Sequence, residues 1–135
     1  MKIQDILTRA PVIPVLIIDD VAHAVPLGRA LVEGGLSVLE ITMRTPVASE
    51  CIARMAGEIE GAVVGAGTVL TPSMRQAAAD VGAQFVVSPG LIEGEEADGP
   101  VPLLPGIATA TELMAGLAAG FECFKLFPAN VVGGP

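Results

Sequence analysis

The sequence predicts an α/β protein in which buried parallel strands alternate with helices. Continuous apolar runs of strand length recur along the chain, as expected of parallel strands that are covered on both faces. Stretches of helical period separate these runs, and several begin with recognisable start signals. Hydrophobic residues make up 52% of the chain and charged residues 16%, which excludes a disordered chain.

Six candidate strands follow one another: Val12–Ile18, Val38–Thr42, Ala62–Val64, Phe85–Val87, Val101–Leu104 and Glu122–Phe127. Pro14 interrupts the first of them and requires a bulge or a shifted strand start, because proline has no amide hydrogen for the ladder. The regular alternation with helices implies right-handed crossovers and a parallel sheet.

The helices between these strands are predicted from their caps and apolar faces. Asp20 can cap a helix over Val21–Glu33, and Thr109 begins a capping box with Glu112. Thr45-Pro46 and Thr71-Pro72 each place a threonine cap before a proline at the first helical position. Two buried helix faces are predicted from spacing: Met74, Ala77, Ala78 and Val81, and then Leu113 and Leu117.

Two architectures remain open for such a chain, a doubly wound open sheet and a (β/α)8 TIM barrel. No glycine fingerprint of a dinucleotide site follows the first strand, which weakens the doubly wound alternative. A barrel needs eight strands and typically about 250 residues. If the chain is a barrel it stops early, and residues 1–135 would form one barrel domain that is C-terminally incomplete, with about six βα units. The acidic stretch 91–100 leaves room only for a short helical turn or a loop.

Composition limits the partners. The formal net charge of −8 argues against nucleic acid and against an anionic membrane surface. No apolar run reaches the roughly 20 residues of a membrane span. Cys51 and Cys123 show no metal or redox spacing and are interpreted as free packing thiols in a cytoplasmic protein. A lone histidine, His23, argues against a His-rich zinc site and is interpreted as a surface or capping residue.

Lys125 is the sharpest candidate for chemistry. It is one of two lysines, and it lies in the last apolar strand with three of the four phenylalanines nearby. Active sites of parallel barrels lie at the carboxyl ends of the strands. A strand covered on both faces partly desolvates an ammonium group, which favours the neutral, nucleophilic amine. The alternative is a structural lysine whose head group reaches water from the strand end.

Glu40 is an acid inside an apolar strand, and alternation places it on the same face as Thr42, with Arg44 close beyond. An internal salt bridge between Glu40 and Arg44 would explain the pair without catalysis. Together with Lys125, however, the three residues offer a nucleophile, a proton carrier and a guanidinium that can hold a carboxylate. The Gly65-Ala66-Gly67-Thr68 stretch allows close backbone approach to a ligand, but is equally typical of a tight turn.

Five stretches in order resemble the 2-keto-3-deoxy-6-phosphogluconate (KDPG) aldolase family, which includes 4-hydroxy-2-oxoglutarate (KHG) aldolases. These stretches are Val38–Thr45, Val64–Leu70, Val87–Gly90, Leu104–Thr109 and Phe124–Ala129. The resemblance implies a barrel that assembles as a homotrimer. It also implies two more βα units and a phosphate-binding glycine loop after Pro135, and a longer fourth helix than the stretch 91–100 allows.

The same resemblance implies the chemistry. Lys125 would form the Schiff base and Glu40 would be the general acid/base, with no metal or organic cofactor. Four residues would contact the substrate, Arg44 and Thr68 at the keto acid's carboxylate and Pro89 and Phe127 at the pocket wall. Cleavage of KDPG would give pyruvate and glyceraldehyde 3-phosphate in the Entner–Doudoroff pathway, and KHG would give pyruvate and glyoxylate.

Two alternatives to this aldolase remain at the level of sequence. One is a catalytically inactive barrel fragment or assembly module, whose charged pair only satisfies buried charge. The other is a phosphosugar-binding barrel enzyme without imine chemistry, which would not need a lysine in the phenylalanine-rich strand.

Overall fold

The computed structural model describes residues 1–135, and its elements alternate as predicted. The strands are β1 Val15–Leu16, β2 Val38–Thr42, β3 Val63–Gly67, β4 Phe85–Val87, β5 Leu103–Leu104, β6 Gly106–Ile107 and β7 Lys125–Leu126. The helices are α1 Ile3–Leu7, α2 Ala24–Glu33, α3 Ala48–Glu58, α4 Pro72–Asp80 and α5 Ala110–Ala118, with a 3₁₀ turn Val21–His23 before α2. None of these helices combines the length and the apolar character that crossing a bilayer requires.

All strand pairs are parallel and follow the order of the chain. The first five strands form one sheet in the order β1-β2-β3-β4-β5, and β6 pairs with β7. Only Pro105 separates β5 from β6, and its carbonyl accepts a 2.9 Å hydrogen bond from the amide of Lys125. β5 and β6 are therefore two halves of one strand, so the predicted six strands are confirmed. β1 and β7 each pair on one side only, and the sheet is open.

Strand alternation divides the apolar residues between two faces of this sheet. The outer face packs under the helices, and its buried strand residues are Leu39, Ile41, Val64, Ala66, Val86 and Leu103. The inner face forms a smaller cluster that Ile3 and Ile6 of α1 complete, with Val38, Val63, Phe85, Val87 and Leu104 from the strands. This is the arrangement of a barrel wall, with helices outside and an interior lined by alternate strand residues.

Several strand predictions have the wrong ends. The run Val12–Ile18 contains only the two residues of β1, and Pro14 lies just before it, where its carbonyl accepts a 3.1 Å hydrogen bond from Glu40. β3 begins one residue later than predicted and continues to Gly67, so the glycines are part of the strand. The predicted runs Val101–Leu104 and Glu122–Phe127 shorten to β5 and β7.

Three of the four predicted helix caps are confirmed. Asp20 accepts from the amide of Ala22 at 2.9 Å, and Thr71 and Thr109 each cap their helices at 3.2 Å. The cap predicted at Thr45 is wrong, because α3 begins only at Ala48. The Thr45 hydroxyl instead donates to the carbonyl of Ile18 at 2.8 Å, which joins the segments that follow β1 and β2.

The acidic stretch between β4 and β5 is a loop, and Arg75 of α4 holds it in place. The Arg75 guanidinium pairs with Glu95 and donates to the carbonyls of Glu96, Ala97 and Val101. The predicted face of α4 is therefore partly wrong. Its fully buried positions are Arg75 and Ala78, whereas Ala77 is exposed.

The apolar face predicted for α5 is also wrong. Leu117 is 55% exposed and Leu113 is exposed as well, beside the more exposed Met114. The buried face of α5 instead contains Gly116, where an added Cβ would lie 2.9 Å from Cζ of Phe124 and closer still to its Cε1. The helix approaches its neighbour closely through its smallest residue, which turns the leucines outward.

Candidate active site

Lys125 and Glu40 lie on the inner face of the sheet. Glu40 alternates with Leu39 and Ile41, both of which belong to the outer cluster. Cys123, two residues before Lys125, packs against the inner cluster, so alternation along the chain places Lys125 on that same face. The two side chains, predicted from separate strands, therefore face the same space.

The carboxylate of Glu40 is buried, since only 5% of the residue is exposed. No cation lies within 4.0 Å of it, because the ion pairs of the structure involve other residues. Burial raises the pKa of Glu40 above its ordinary value, and the positive charges of Lys125 and then Arg44 partly offset that rise. The predicted salt bridge with Arg44 is thus not formed. Glu40 is therefore a buried acid without a paired cation.

Lys125 lies partly buried at the start of β7, in register with Gly106 of β6. Its ammonium group is 4.4 Å from the centre of the Phe127 ring, within the range of a cation–π contact. The chain thus places an aromatic wall next to the amine.

Arg44 and Thr68 lie together beyond the ends of β2 and β3. The Nε of Arg44 donates a 3.0 Å hydrogen bond to the Thr68 hydroxyl. Thr68 is the only residue other than glycine with a positive φ, at 57°, a strained conformation for a β-branched side chain. Such strain is often found at functional sites. Arg44 is exposed and pairs with no carboxylate, so its terminal nitrogens are free to bind an anion.

Pro89 begins the turn after β4 and lies against Gly106 of β6. A Cβ on Gly106 would collide with the Pro89 carbonyl, so glycine is what allows this close approach. The hydroxyl of Ser88 donates to the carbonyl of Gly90 at 2.6 Å and fixes the turn. A cavity of about 210 Å³ lies between this turn and Val69 and Leu70.

None of the surface cavities contains Glu40, Arg44 or Lys125. The physical reason is that the inner face lies between two unpaired strand edges, so the space in front of it is open on one side. A second cavity, of about 130 Å³, lies at the opposite end of the sheet between α1 and residues 120–123. No three His, Cys, Asp or Glu side chains converge on a point that could hold a metal ion.

Sequence reasoning missed the roles of Gly65 and Gly67. It interpreted them as a possible turn, whereas both lie on the inner face of β3. A Cβ on Gly65 would lie 2.6 Å from Cδ1 of Phe85 and closer still to its Cε1 and Cζ, and one on Gly67 would lie 2.8 Å from Cδ of Glu40. The signal available in the sequence was the spacing of two residues between the glycines, which is the period of one strand face.

A family model described as KDPG and KHG aldolase matches residues 3–135 of the chain. The chain belongs to this aldolase family. It is 47% identical over 134 residues to the KHG/KDPG aldolase of Escherichia coli (strain K12). The aligned region covers 97% of this chain and 63% of that relative. It is 50% identical over 135 residues to the 2-dehydro-3-deoxy-phosphogluconate aldolase of Zymomonas mobilis (strain ATCC 31821 / ZM4 / CP4). That aligned region covers 98% of this chain and 64% of the relative.

Solved structures of aldolases also match the fold of this chain. The 2-keto-3-deoxy-6-phosphogluconate aldolase from Zymomonas mobilis ATCC 29191 matches with a TM-score of 0.92 and 48% identity, over 99% of this chain and 66% of that one. The KDPG aldolase from Legionella pneumophila, with pyruvate captured at low pH as a covalent carbinolamine, matches with a TM-score of 0.91 and 40% identity. That match covers 96% of this chain and 64% of the Legionella chain.

These matches confirm two predictions. The resemblance carried by the five sequence stretches is correct, and the barrel is the correct alternative to the doubly wound sheet. The chain spans just under two thirds of the length of the relatives it matches.

Proposed function

We propose that the protein is a class I aldolase that cleaves KDPG to pyruvate and glyceraldehyde 3-phosphate through a Schiff base on Lys125. The observation that supports this most is the placement of Lys125 and Glu40 on one face of the sheet, close enough for the lysine's charge to affect the carboxyl group. The relatives are named as aldolases of this kind, which favours an enzyme over a noncatalytic module.

In the first half of the reaction, the neutral amine of Lys125 attacks the C2 ketone of the substrate. Glu40, directly or through water, protonates the carbonyl oxygen, which leaves as water and gives a protonated imine. A buried carboxyl group whose pKa is raised by desolvation is suited to this acid role.

In the second half, the protonated imine accepts the electron pair of the C3–C4 bond. Glu40 takes the proton of the C4 hydroxyl as the aldehyde leaves, and an enamine remains on Lys125. Protonation at C3 and addition of water then release pyruvate and restore the free amine. Acid–base assistance of this kind is typically worth about 10²–10⁴ in rate.

Four residues are proposed to hold the substrate. The guanidinium of Arg44 would bind the C1 carboxylate with two parallel hydrogen bonds, since Thr68 already holds its Nε in place. Phe127 would form the wall behind the imine, where its ring contacts the lysine. Pro89, whose carbonyl lies next to Gly106, would line the pocket at the end of β4.

We also propose that KHG is a second substrate, giving pyruvate and glyoxylate, and that neither a metal nor an organic cofactor takes part. A homotrimer that acts in the cytoplasm, in the Entner–Doudoroff pathway, fits an aldolase of this family. The exposed apolar residues of α5 support association with further copies. Light scattering coupled to size-exclusion chromatography tests the trimer, and a monomer at micromolar concentration would contradict it.

Borohydride reduction with pyruvate, followed by peptide mass mapping, tests the catalytic assignment. We expect one reduced pyruvate adduct, on Lys125, and none in Lys125→Ala. Lys2 is the matched control because it is the only other lysine. Lys2→Ala should trap as wild type does, whereas an adduct on Lys2 would overturn the assignment. Glu40→Gln should still form some imine while turnover falls, and unchanged turnover would remove Glu40 from the mechanism.

A further inference from the structure

The last residue of β3, Gly67, has no side chain where the Glu40 carboxyl group lies. A Cβ on Gly67 would lie 2.8 Å from Cδ and 2.9 Å from Cγ of Glu40, and closer still to Oε1. Real Cβ atoms essentially never approach other heavy atoms to less than 3.0 Å. Any side chain at position 67 would therefore displace the acid.

Space, and not backbone conformation, is what requires glycine at this position. Gly67 does not have a positive φ, in contrast to Gly35 and Gly61, which adopt the left-handed region and have open space around them. An alanine at 67 could adopt the strand backbone, so the nearest obstacles to its Cβ are atoms of the Glu40 side chain.

The neighbouring position explains why the carboxyl group lies at Gly67. Glu40 is directly in register with Gly65, but the ring of Phe85 already occupies the space above Gly65. The Glu40 side chain therefore extends over Gly67, toward the carboxyl edge of the sheet. Arg44 and Thr68 lie beyond that same edge, so this direction points the acid toward the proposed substrate.

Packing is the main constraint on the Glu40 carboxyl group. No protein hydrogen bond and no ion pair within 4.0 Å holds its oxygens. A side chain without such partners is positioned by the shape of the surface beneath it. That surface includes Gly67, and the Phe85 ring occupies the neighbouring space above Gly65.

We propose that Gly67 is a positioning residue for the aldol cleavage, whose missing side chain sets where the Glu40 carboxyl group stands relative to Lys125. This inference rests on the proposed function, since it assigns Gly67 a role through Glu40. It replaces the sequence-based interpretation, in which the glycines of this stretch leave room for a ligand.

The first test compares the turnover of Gly67→Ala with that of wild type in the full chain. Acid–base catalysis contributes about 10²–10⁴ in rate, so a displaced acid should lower kcat by at least about 10-fold. KM should change little, because Arg44 and Thr68 are not touched. The pH profile of kcat should also shift, since Glu40 would leave its buried position. Gly57→Ala is the matched control, because nothing lies within 4 Å of a Cβ at that helical position.

A Glu40→Ala background separates this role from general destabilisation. There the space above Gly67 is empty, so adding Gly67→Ala should cost neither further turnover nor melting temperature. This comparison holds even where Gly67→Ala by itself fails to fold. An equal loss of melting temperature in both backgrounds would overturn the inference, because the methyl group would then collide with something other than Glu40.

The outcomes also distinguish this inference from the proposed function. A wild-type chain that forms no borohydride-trapped adduct on Lys125 refutes the aldolase itself. A wild type that traps pyruvate, together with Gly67→Ala that turns over at the wild-type rate, refutes the role of Gly67 alone.

Discussion

The Arg75 guanidinium is buried between α4 and the loop that joins β4 to β5, and we expect Arg75→Leu to destabilise the fold severely. Only 1% of Arg75 is exposed. It pairs with Glu95 and makes four hydrogen bonds to the carbonyls of Glu96, Ala97 and Val101. Leucine has nearly the same helix propensity as arginine, so the change tests the buried contacts and not the helix.

The magnitude follows from what the substitution leaves behind. Removing one partner of a buried ion pair typically costs about 3–5 kcal/mol, because the remaining charge is uncompensated. Each buried carbonyl that loses its donor adds about 1–3 kcal/mol, less where water can reach the loop. A domain of this kind has a total stability of about 5–15 kcal/mol. Arg75→Leu should therefore remove a large share of the stability, by at least about 3 kcal/mol.

Urea unfolding, monitored by far-UV circular dichroism, measures this loss of unfolding free energy. Fluorescence is unsuitable because the chain has neither tryptophan nor tyrosine. Arg54→Leu is the matched control, because Arg54 pairs with Glu58 on the surface, where both side chains are nearly half exposed. Exposed pairs are worth about 0–1 kcal/mol. Glu95→Gln keeps the four carbonyl bonds and should cost less than Arg75→Leu. Equal losses for Arg75→Leu and Arg54→Leu would refute the reasoning.

Two further predictions concern the proposed site. Burial raises the pKa of Glu40 above 4.5. Between pH 4.5 and that raised value, the native protein therefore binds more protons than the unfolded chain. Wild-type stability should thus fall as pH rises through this window. Glu40→Gln should melt higher than wild type at neutral pH. This gain should shrink as pH falls through the same window and be lost below about pH 4.5, whereas a gain that grows toward acid would contradict the burial argument. Thr68→Gly relieves a left-handed conformation worth about 1–2 kcal/mol but adds about 0.5–1 kcal/mol of chain entropy, so stability should change by between about 0 and +1.5 kcal/mol relative to wild type. The KM of Thr68→Gly should nevertheless rise, because Arg44 loses the acceptor that orients it. If urea unfolding instead showed that this variant loses more than about 2 kcal/mol of stability, the proposed strain at Thr68 would be refuted.

The order of the strands could be predicted because each strand is encoded locally. The run Val38–Thr42 is continuous, apolar and bounded by turn residues, and its predicted ends match the structure. Phe85–Val87 is equally well bounded and equally correct. The other four runs were placed correctly but ended wrongly, because pairing with the neighbouring strand decides where a ladder stops.

The helix faces show where local periodicity fails. Leu113 and Leu117 have the spacing of a buried face, yet α5 packs through Gly116, which gives no periodic signal. Arg75 is not among the residues of the predicted α4 face, yet it is buried there, because the carbonyls of a loop distant in sequence accept its hydrogen bonds. Periodicity reports which residues share a face, but not which face meets a neighbour.

The sequence by itself determined the parallel α/β class, the six strands in order, the family, and the two candidates Lys125 and Glu40. The class, the strands and the two candidates depend on residue type and on spacing along the chain, and the family depends on the resemblance of the five stretches. Only the tertiary structure decided that Glu40 is unpaired, that Gly67 makes room for it, and that Arg44 binds Thr68. These are contacts between separate strands and the segments that follow them, and their geometry is set by the register and curvature of the sheet, which no single stretch of sequence contains.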